Sequence, residues 1–444
     1  MTSQDSGAPR ASLSVIDGAL MMVGIIIGIG IFKTPQLVAL NVGSEAWFIG
    51  AWVLGGVATL IGVLVYAELA AAYPSAGGEY HFLTRAFGLP VGFLFAWART
   101  TVIQTGAIAA VCFVLGDYAQ QLYSLGEHGS AIYGGFGLLM LTLINLAGTY
   151  ESKTAQNILT ILESCALAAI ALIGFLYGGG AAPAAAADTT TNLGAFGLAM
   201  VFVLLTYGGW NECAYLSADL KNVKRDMIRI LLIGTAVVTT LYVLINFAYL
   251  NVLGLDGLRK SDAVAAEVMR AGFGATGAMI LSVIVILAAA STINASIFTG
   301  ARVYYALGQD LQLNRLKIWS SEGNNPRNAI IVQSLISFGL IVFGAVSKGG
   351  FSAMVDYTAP VFWFFILLVG LSLFVMRVKD PNRERPFRVP LYPVTPILFC
   401  LMCVYLLYSS LVYTGYGSLI GIGVLVVGIP VLALVLKRQR TARA

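Results

Sequence analysis

Three observations predict an all-α membrane protein with twelve transmembrane helices, two of them broken in mid-membrane. Of 444 residues, 58% are hydrophobic and only 11% charged, against about 25% charged in soluble domains. Twelve apolar runs are long enough for the ~20 residues that a helix needs to cross the hydrocarbon core. They lie at 14–40, 46–72, 90–120, 131–149, 155–178, 194–218, 229–253, 278–306, 328–347, 352–376, 392–413 and 416–436. Two of these runs, five apart, carry glycines where a helix should be strongest.

A polar tail, 1–13, precedes the first run, and no small-residue cleavage site follows it, so no signal peptide is expected. The first span contains VGIIIGIGIF (23–32), with Gly24, Gly28 and Gly30 among isoleucines. Each interior glycine costs a helix roughly 0.5–1 kcal/mol relative to alanine. The run ends at Phe32-Lys33-Thr34-Pro35, a charge and a breaker. In the second span Glu68, in VYAELA, lies near the inner end and reads as structural or gating. Arg99, in FAWARTT of the third span, either faces the pocket and selects an acidic side chain or pairs with a carboxylate away from it. The fifth span, AQNILTILE onwards, carries Glu163. An Ala/Gly/Pro linker, 178–192, joins the halves.

The sixth span reads LLTYGGWNE (204–212), and Gly208-Gly209 interrupts it as Gly28 and Gly30 interrupt the first. Asp219 and Lys221 cap it at the inner surface. The mildly amphipathic stretch 254–277 is expected on the membrane surface. Asp356 and Tyr357 open the tenth span and are candidates for an outer gate. Paired glycine-interrupted spans point to an inverted-repeat transporter with its site near the midplane. Repeat one is then 14–178 and repeat two 194–376, with a peripheral helix pair at 392–436 and a second tail at 437–444. Five helices per repeat is an odd number, so the second repeat inverts.

A helix stopped in mid-membrane leaves unpaired carbonyls at the end of its first half and unpaired amides at the start of its second. Lipid satisfies neither, so both must line a protein or water cavity. Amides at a helix start favour an anion, and free carbonyls favour an ammonium. The amides of Ile29, Gly30 and Ile31 and the carbonyls of Ile25 to Ile27 therefore form a candidate zwitterion site, to which Leu205 to Gly208 can add carbonyls. The competing reading is that the glycines only let helices pack closely.

Lysine and arginine mark the cytoplasmic side. With both termini inside, 20 of the 26 basic residues are cytoplasmic, four are outside, and Lys33 and Arg99 lie within spans. The expected location is the cell (inner) membrane. The five cysteines all lie in apolar segments and read as free thiols. Cys400 and Cys403 form a CxxC without a nearby histidine, so no metal is expected. No cofactor and no nucleic-acid partner are expected either. His81 and His128 are the only histidines and lie far apart, which argues against an intramembrane enzyme. No repeated filter motif suggests a channel, and nothing resembles a signalling domain.

Six motifs in order carry a family resemblance: GIGIFKTP (28–35), PSAGGEYHFL (74–83), AQNILTILE (155–163), YGGWN (207–211) with LKNVKRDM (220–227), STINASIFTGARVYYALGQD (291–310) and RERPFRVPLYPVTP (383–396). The chain resembles the amino acid–polyamine–organocation superfamily, closest to its L-type amino acid transporter branch. The resemblance implies the LeuT-like five-plus-five inverted repeat with discontinuous first and sixth helices. It implies that the amides of Ile29 and Gly30 hold the substrate carboxylate. It places the α-amine on the carbonyls of Ile26, Leu205 and Gly208. Ile25, Phe202 and Thr206 complete the pocket, whose apolar members favour a neutral, small or branched side chain. Leu205 falls where the family often has a bulky gate; plain packing is the alternative.

The chain departs from the family at three positions. Ile29 stands where many relatives have serine, which keeps the amide and loses a hydroxyl. Glu163 stands where many carry a lysine that takes the place of a sodium ion. Glu163 either couples transport to a proton, or binds sodium with Ser291, Thr292 and first-helix carbonyls, or stays neutral and bonds neighbouring helices. Lys33 replaces an apolar residue and needs a partner, with Glu212 and Glu163 as candidates, or else snorkels outward. The implied function is secondary active transport of amino acids by alternating access, with sodium symport or obligate exchange as alternatives to proton coupling. Its partners are the amino acid, membrane lipid and a proton or sodium ion. Residues 121–130 hold no cysteine, so no disulfide-linked heavy chain is expected.

Overall fold

The structure, a computed structural model, describes residues 15–75, 78–147, 153–177, 193–211, 223–310, 327–412 and 414–443. Fifteen α-helices and one π-helical turn account for the regular structure of these residues. In chain order come α1 (Val15–Ile26), α2 (Gly30–Leu40), α3 (Glu45–Ala72), α4 (Gly78–Phe87), α5 (Leu89–Ala98), α6 (Gln104–Leu122), α7 (Gly129–Leu146) and α8 (Lys153–Leu176). Then follow α9 (Leu193–Thr206), α10 (Val223–Lys260), α11 (Val264–Asp310), α12 (Arg327–Val346), α13 (Gly350–Lys379), α14 (Val394–Val412) and α15 (Gly417–Arg443).

Among the described residues, nine helices are long and apolar enough to cross a membrane. The other three expected runs coincide with α1–α2, α8 and α9. The first span is two helices, α1 and α2, with a bend between them. A π-helical turn, Arg99–Ile103, joins α5 to α6 within the third. A π turn frees carbonyls from the α-helical ladder, and here the Tyr357 hydroxyl donates to the Thr101 carbonyl at 2.9 Å. Tyr357 is thereby buried against the third span, while Asp356 accepts from the Gly415 amide at 3.3 Å, ahead of α15.

The helix contacts follow a regular scheme. Taking α1–α2, α3, α5–α6, α7 and α8 as spans one to five and α9 to α13 as six to ten, span one packs on seven and two on six. Three packs on ten and eight on five; three packs on nine and eight on four. Five packs on seven and ten on two. Each of these named pairs recurs when five is added to both spans, counted cyclically.

The stretch 254–277, expected on the membrane surface, is set off by two glycines and buries one face against the helices. Gly254 and Gly274, at φ 65° and 64°, turn the chain so that the segment between them packs inward. Leu258, Val264, Ala265 and Val268 are fully buried. Arg259 reaches from it to the carbonyls of Ala39 (3.0 Å) and Val42 (2.7 Å). The first is an orphan acceptor in the last turn of α2 and the second lies two residues past its end, and a cation satisfies both well.

Charged pairs hold the end that carries most of the basic residues. Glu68 is fully buried and receives Arg377 through two bonds, 2.8 and 2.6 Å, with Arg385 at 3.5 Å and the Val389 amide at 2.7 Å. This supports the structural reading of Glu68. Asp380 accepts from Arg85 at 2.9 Å and from the Tyr73 hydroxyl at 3.0 Å. Those bonds, that of Arg85 above all, hold its carboxyl below the usual carboxylate range. The contact therefore survives acidification until the pH drops below that range.

Candidate functional site

The two interrupted spans meet. α1 stops at Ile26 and α2 starts at Gly30. α9 stops at Thr206, where the Tyr207 amide still reaches Val203 (3.0 Å) and the Gly208 amide turns back to Leu205 (3.0 Å). Gly209 then takes φ +99°, a conformation that favours glycine and ends the helix. A Cβ on Gly30 would lie 3.1 Å from the Thr206 Cα. The hydroxyls of Thr34 and Thr206 are 2.5 Å apart, one donating to the other.

The three glycines of VGIIIGIGIF therefore have different roles. Gly30 is a close-packing glycine after all, as well as the start of α2. Gly24 has nothing within 4 Å of an added Cβ, and Gly28 only the Ile26 carbonyl at 3.8 Å. Open space thus lies beside Gly28, at the bend.

Ile29, the cap residue of α2, has no side-chain acceptor for the amides that follow. Among the described residues, no main-chain acceptor meets the amides of Ile29 and Gly30, while Phe32 turns back to Ile29 at 3.1 Å. The carbonyls are occupied more fully than expected. The Tyr242 hydroxyl lies 2.8 Å from the Ile26 carbonyl and 3.2 Å from that of Thr206, bridging the ends of α1 and α9. Leu205 accepts from Gly208. Each of these carbonyls keeps one further lone pair for an ammonium.

Tyr242 was not among the residues singled out from sequence. A signal existed: Tyr242 and Tyr249 are seven apart, hence on one face of α10. Tyr249 has a matching task. Pro35 has no N–H to donate to Ile31, four residues earlier, and the Tyr249 hydroxyl takes that carbonyl at 3.4 Å. Tyr118 likewise reaches Phe32 at 2.9 Å. Substituting Tyr242 by phenylalanine would leave two buried carbonyls without their bridge. We expect a loss of about 1–3 kcal/mol, read as a lower thermal midpoint in detergent, with Tyr249→Phe milder because its bond is longer.

Phe202 and Thr206 are buried, and Leu205 is 41% exposed where α9 ends. The side chain of Ile25 lies outside the described residues. Glu163, on α8, is half-buried and within electrostatic range of Tyr242. No hydrogen-bond or ion-pair partner for its carboxylate occurs among the described residues. Ser291 is buried, and the Thr292 hydroxyl donates to its own helix at Ala288, 3.0 Å away.

The expected pairing of Lys33 with Glu163 requires correction. Its ammonium lies 2.8 Å from Asp117 on α6, 3.2 Å from the Asp262 carbonyl and 3.8 Å from the Asp262 carboxylate. Lys33 sits one turn beyond the break, on the side of α2 turned to α6 and the α10–α11 junction. Among the described residues no ion pair joins Lys33 to Glu163, and Glu212 lies outside them. Lys33 is buried with its partner rather than snorkelling. Arg99 pairs with Glu79 at 3.5 Å, and Glu79 also accepts from Asn211 at 2.8 Å, just past the second break.

A family model described as amino acid permease matches residues 13–435. The mouse (Mus musculus) b(0,+)-type amino acid transporter 1 is 29% identical over 415 residues, covering 91% of this chain and 83% of its own. The serine/threonine exchanger SteT of Bacillus subtilis (strain 168) is 26% identical over 446 residues, covering 99% and 100%. The mouse large neutral amino acids transporter small subunit 2 is 27% identical over 439 residues, covering 96% and 81%.

Proposed function

The chain belongs to the amino acid permease family, and on that premise we propose that it carries neutral L-amino acids across the cell membrane by alternating access. It is an integral membrane transporter rather than an enzyme, as its family and relatives are. The observation that carries the reading is the meeting of the two breaks at Gly30 and Thr206, with open space beside Gly28. The amides of Ile29 and Gly30, which meet no main-chain acceptor among the described residues, suit a carboxylate. The spare lone pairs of Ile26 and Leu205, with the Gly208 carbonyl, suit the ammonium. Phe202 and Ile29 give the pocket an apolar side. The contacts that recur with a shift of five spans support the twelve-helix, five-plus-five inverted repeat. The distribution of basic residues supports cytoplasmic termini.

Glu163 is assigned the coupling proton, because its carboxylate has no cationic partner among the described residues and lies near the tyrosine that ties the breaks together. Obligate exchange is the second reading, favoured by similarity to a relative described as an exchanger. The test is uptake into proteoliposomes under separately imposed proton and sodium gradients, with unlabelled amino acids as competitors. In Glu163→Gln, proton-driven accumulation should fall roughly tenfold, within the ~1–3 kcal/mol of a typical coupling between sites, while exchange persists. Undiminished proton-driven uptake would remove Glu163 from this role. If no amino acid competes, the transport reading fails.

A further inference from the structure

A second polar chamber lies one turn beyond the break, and nothing above uses it. It has a volume of about 380 Å³, and its walls include Lys33, Gln36, Asp117, Asp262, Glu127 and Lys348. On the orientation proposed above it opens outward. Its charges are arranged by depth. At the rim, Lys348 and Glu127 pair at 2.6 Å with both side chains exposed, and such a pair contributes little. At the floor, Lys33 and Asp117 pair at 2.8 Å with side chains only 7% and 14% exposed. Asp262 is 76% exposed on its side chain and accepts from Gln36 at 3.2 Å.

The buried pair restricts what can bind. Lys33 is part of α2, so any outward movement of α2 away from α6 separates its ammonium from Asp117. An anion would take Lys33 and leave Asp117 buried without its partner, which is strongly unfavourable, and a cation would take Asp117 and leave Lys33 with only Asp262, whose carboxylate is exposed and 3.8 Å away. A zwitterion replaces both partners at once. Its carboxylate takes Lys33, and its ammonium takes Asp117 with Asp262 close by. We propose that this chamber is an entry site for amino acid zwitterions, and that binding there exchanges the Lys33–Asp117 pair for two pairs with the ligand and so frees α2. The assignment rests on the transport reading and adds to it a site separate from the break.

Ser352 lines the chamber, so a Ser352→Cys variant reports its occupancy. The rate of labelling by a membrane-impermeant maleimide, above that of the parent protein, is measured in proteoliposomes. The ligands are L-alanine, alaninamide (ammonium only) and lactate (carboxylate only). Alanine should slow labelling at millimolar concentration, and the two singly charged analogues should be at least about tenfold weaker. Protection should persist with Gly28→Val, whose side chain fills the space at the break. It should vanish with Lys33→Met plus Asp117→Leu, which removes both charges together and avoids stranding either. The proposal is overturned if alanine does not protect, if either analogue matches it, or if the double variant is protected equally. The analogue comparison needs only Ser352→Cys and so stands even if a second variant does not fold. Normal uptake without protection would sink the entry site alone; absent uptake and absent competition would sink the transport reading.

Discussion

A Gly28→Val protein is expected to reach the membrane folded and to move almost no amino acid. An added Cβ at Gly28 meets only the Ile26 carbonyl, at 3.8 Å. The bend around it has no left-handed φ at this position, so valine is tolerated by the backbone. The branched side chain would extend into the open space where the substrate is proposed to lie. Overpacking a fitted site costs about 1–3 kcal/mol, so uptake should drop roughly ten- to a hundredfold. The thermal midpoint should stay close to that of the parent. Gly30→Ala makes the contrasting case, because its methyl meets the backbone of Thr206 at 3.1 Å. There, uptake and stability should fall together. Uptake in Gly28→Val at the parental rate would show that the space beside Gly28 is not the substrate site.

The largest loss of stability is expected from Glu68→Ala. Its carboxylate is fully buried and is the common acceptor for Arg377, Arg385 and the Val389 amide. Removing it strands a guanidinium that is held from 2.6 Å and leaves a buried amide unpaired. Breaking one partner of a buried pair costs roughly 3–5 kcal/mol. Arg377 also stacks on the Tyr392 ring at 3.6 Å, which restrains it where its charge is no longer wanted. The end of α13 and the segment 380–393 should therefore detach from α3. The measurement is thermal unfolding in detergent, with proteolysis at Arg383 and Arg385 as a local readout. Glu68→Gln keeps an acceptor and should lose distinctly less. A Glu68→Ala protein as stable as the parent would mean that the pairs add nothing beyond the packing around them.

Much of the site was legible because it is written in the backbone. Glycine density, a breaker at Pro35 and a second interruption at Gly208 and Gly209 are visible in a single sequence, and helix ends have the same unpaired groups wherever they occur. What stayed hidden depends on which helices become neighbours. Lys33 plainly needed a carboxylate, yet nothing local distinguishes Asp117 from Glu163 or Glu212. The choice follows from the face that α2 turns to α6. Tyr242 was overlooked for the same reason: a mid-span tyrosine looks like any apolar aromatic until the carbonyls of Ile26 and Thr206 are brought to its hydroxyl. Gly30 shows a different limit. Its two roles, as the first residue of α2 and as a point of close approach to Thr206, are compatible, whereas packing and breakage looked like alternatives in the sequence.

Arg259 gives the half-helix α2 a mechanical character. It clasps the carbonyls of Ala39 and Val42 from the α10–α11 junction, and the Asp262 carbonyl of the same junction holds Lys33. Both ends of α2's outer portion are thus fastened to one short piece of chain. In lever terms, α2 and the junction form a single stiff arm, and the bend at Gly28 and Ile29 is its fulcrum. A push at the bend is then expected to move α2 and the junction together. Conversely, anything that seizes the junction from outside, an antibody fragment for instance, would hold the arm still without touching the substrate.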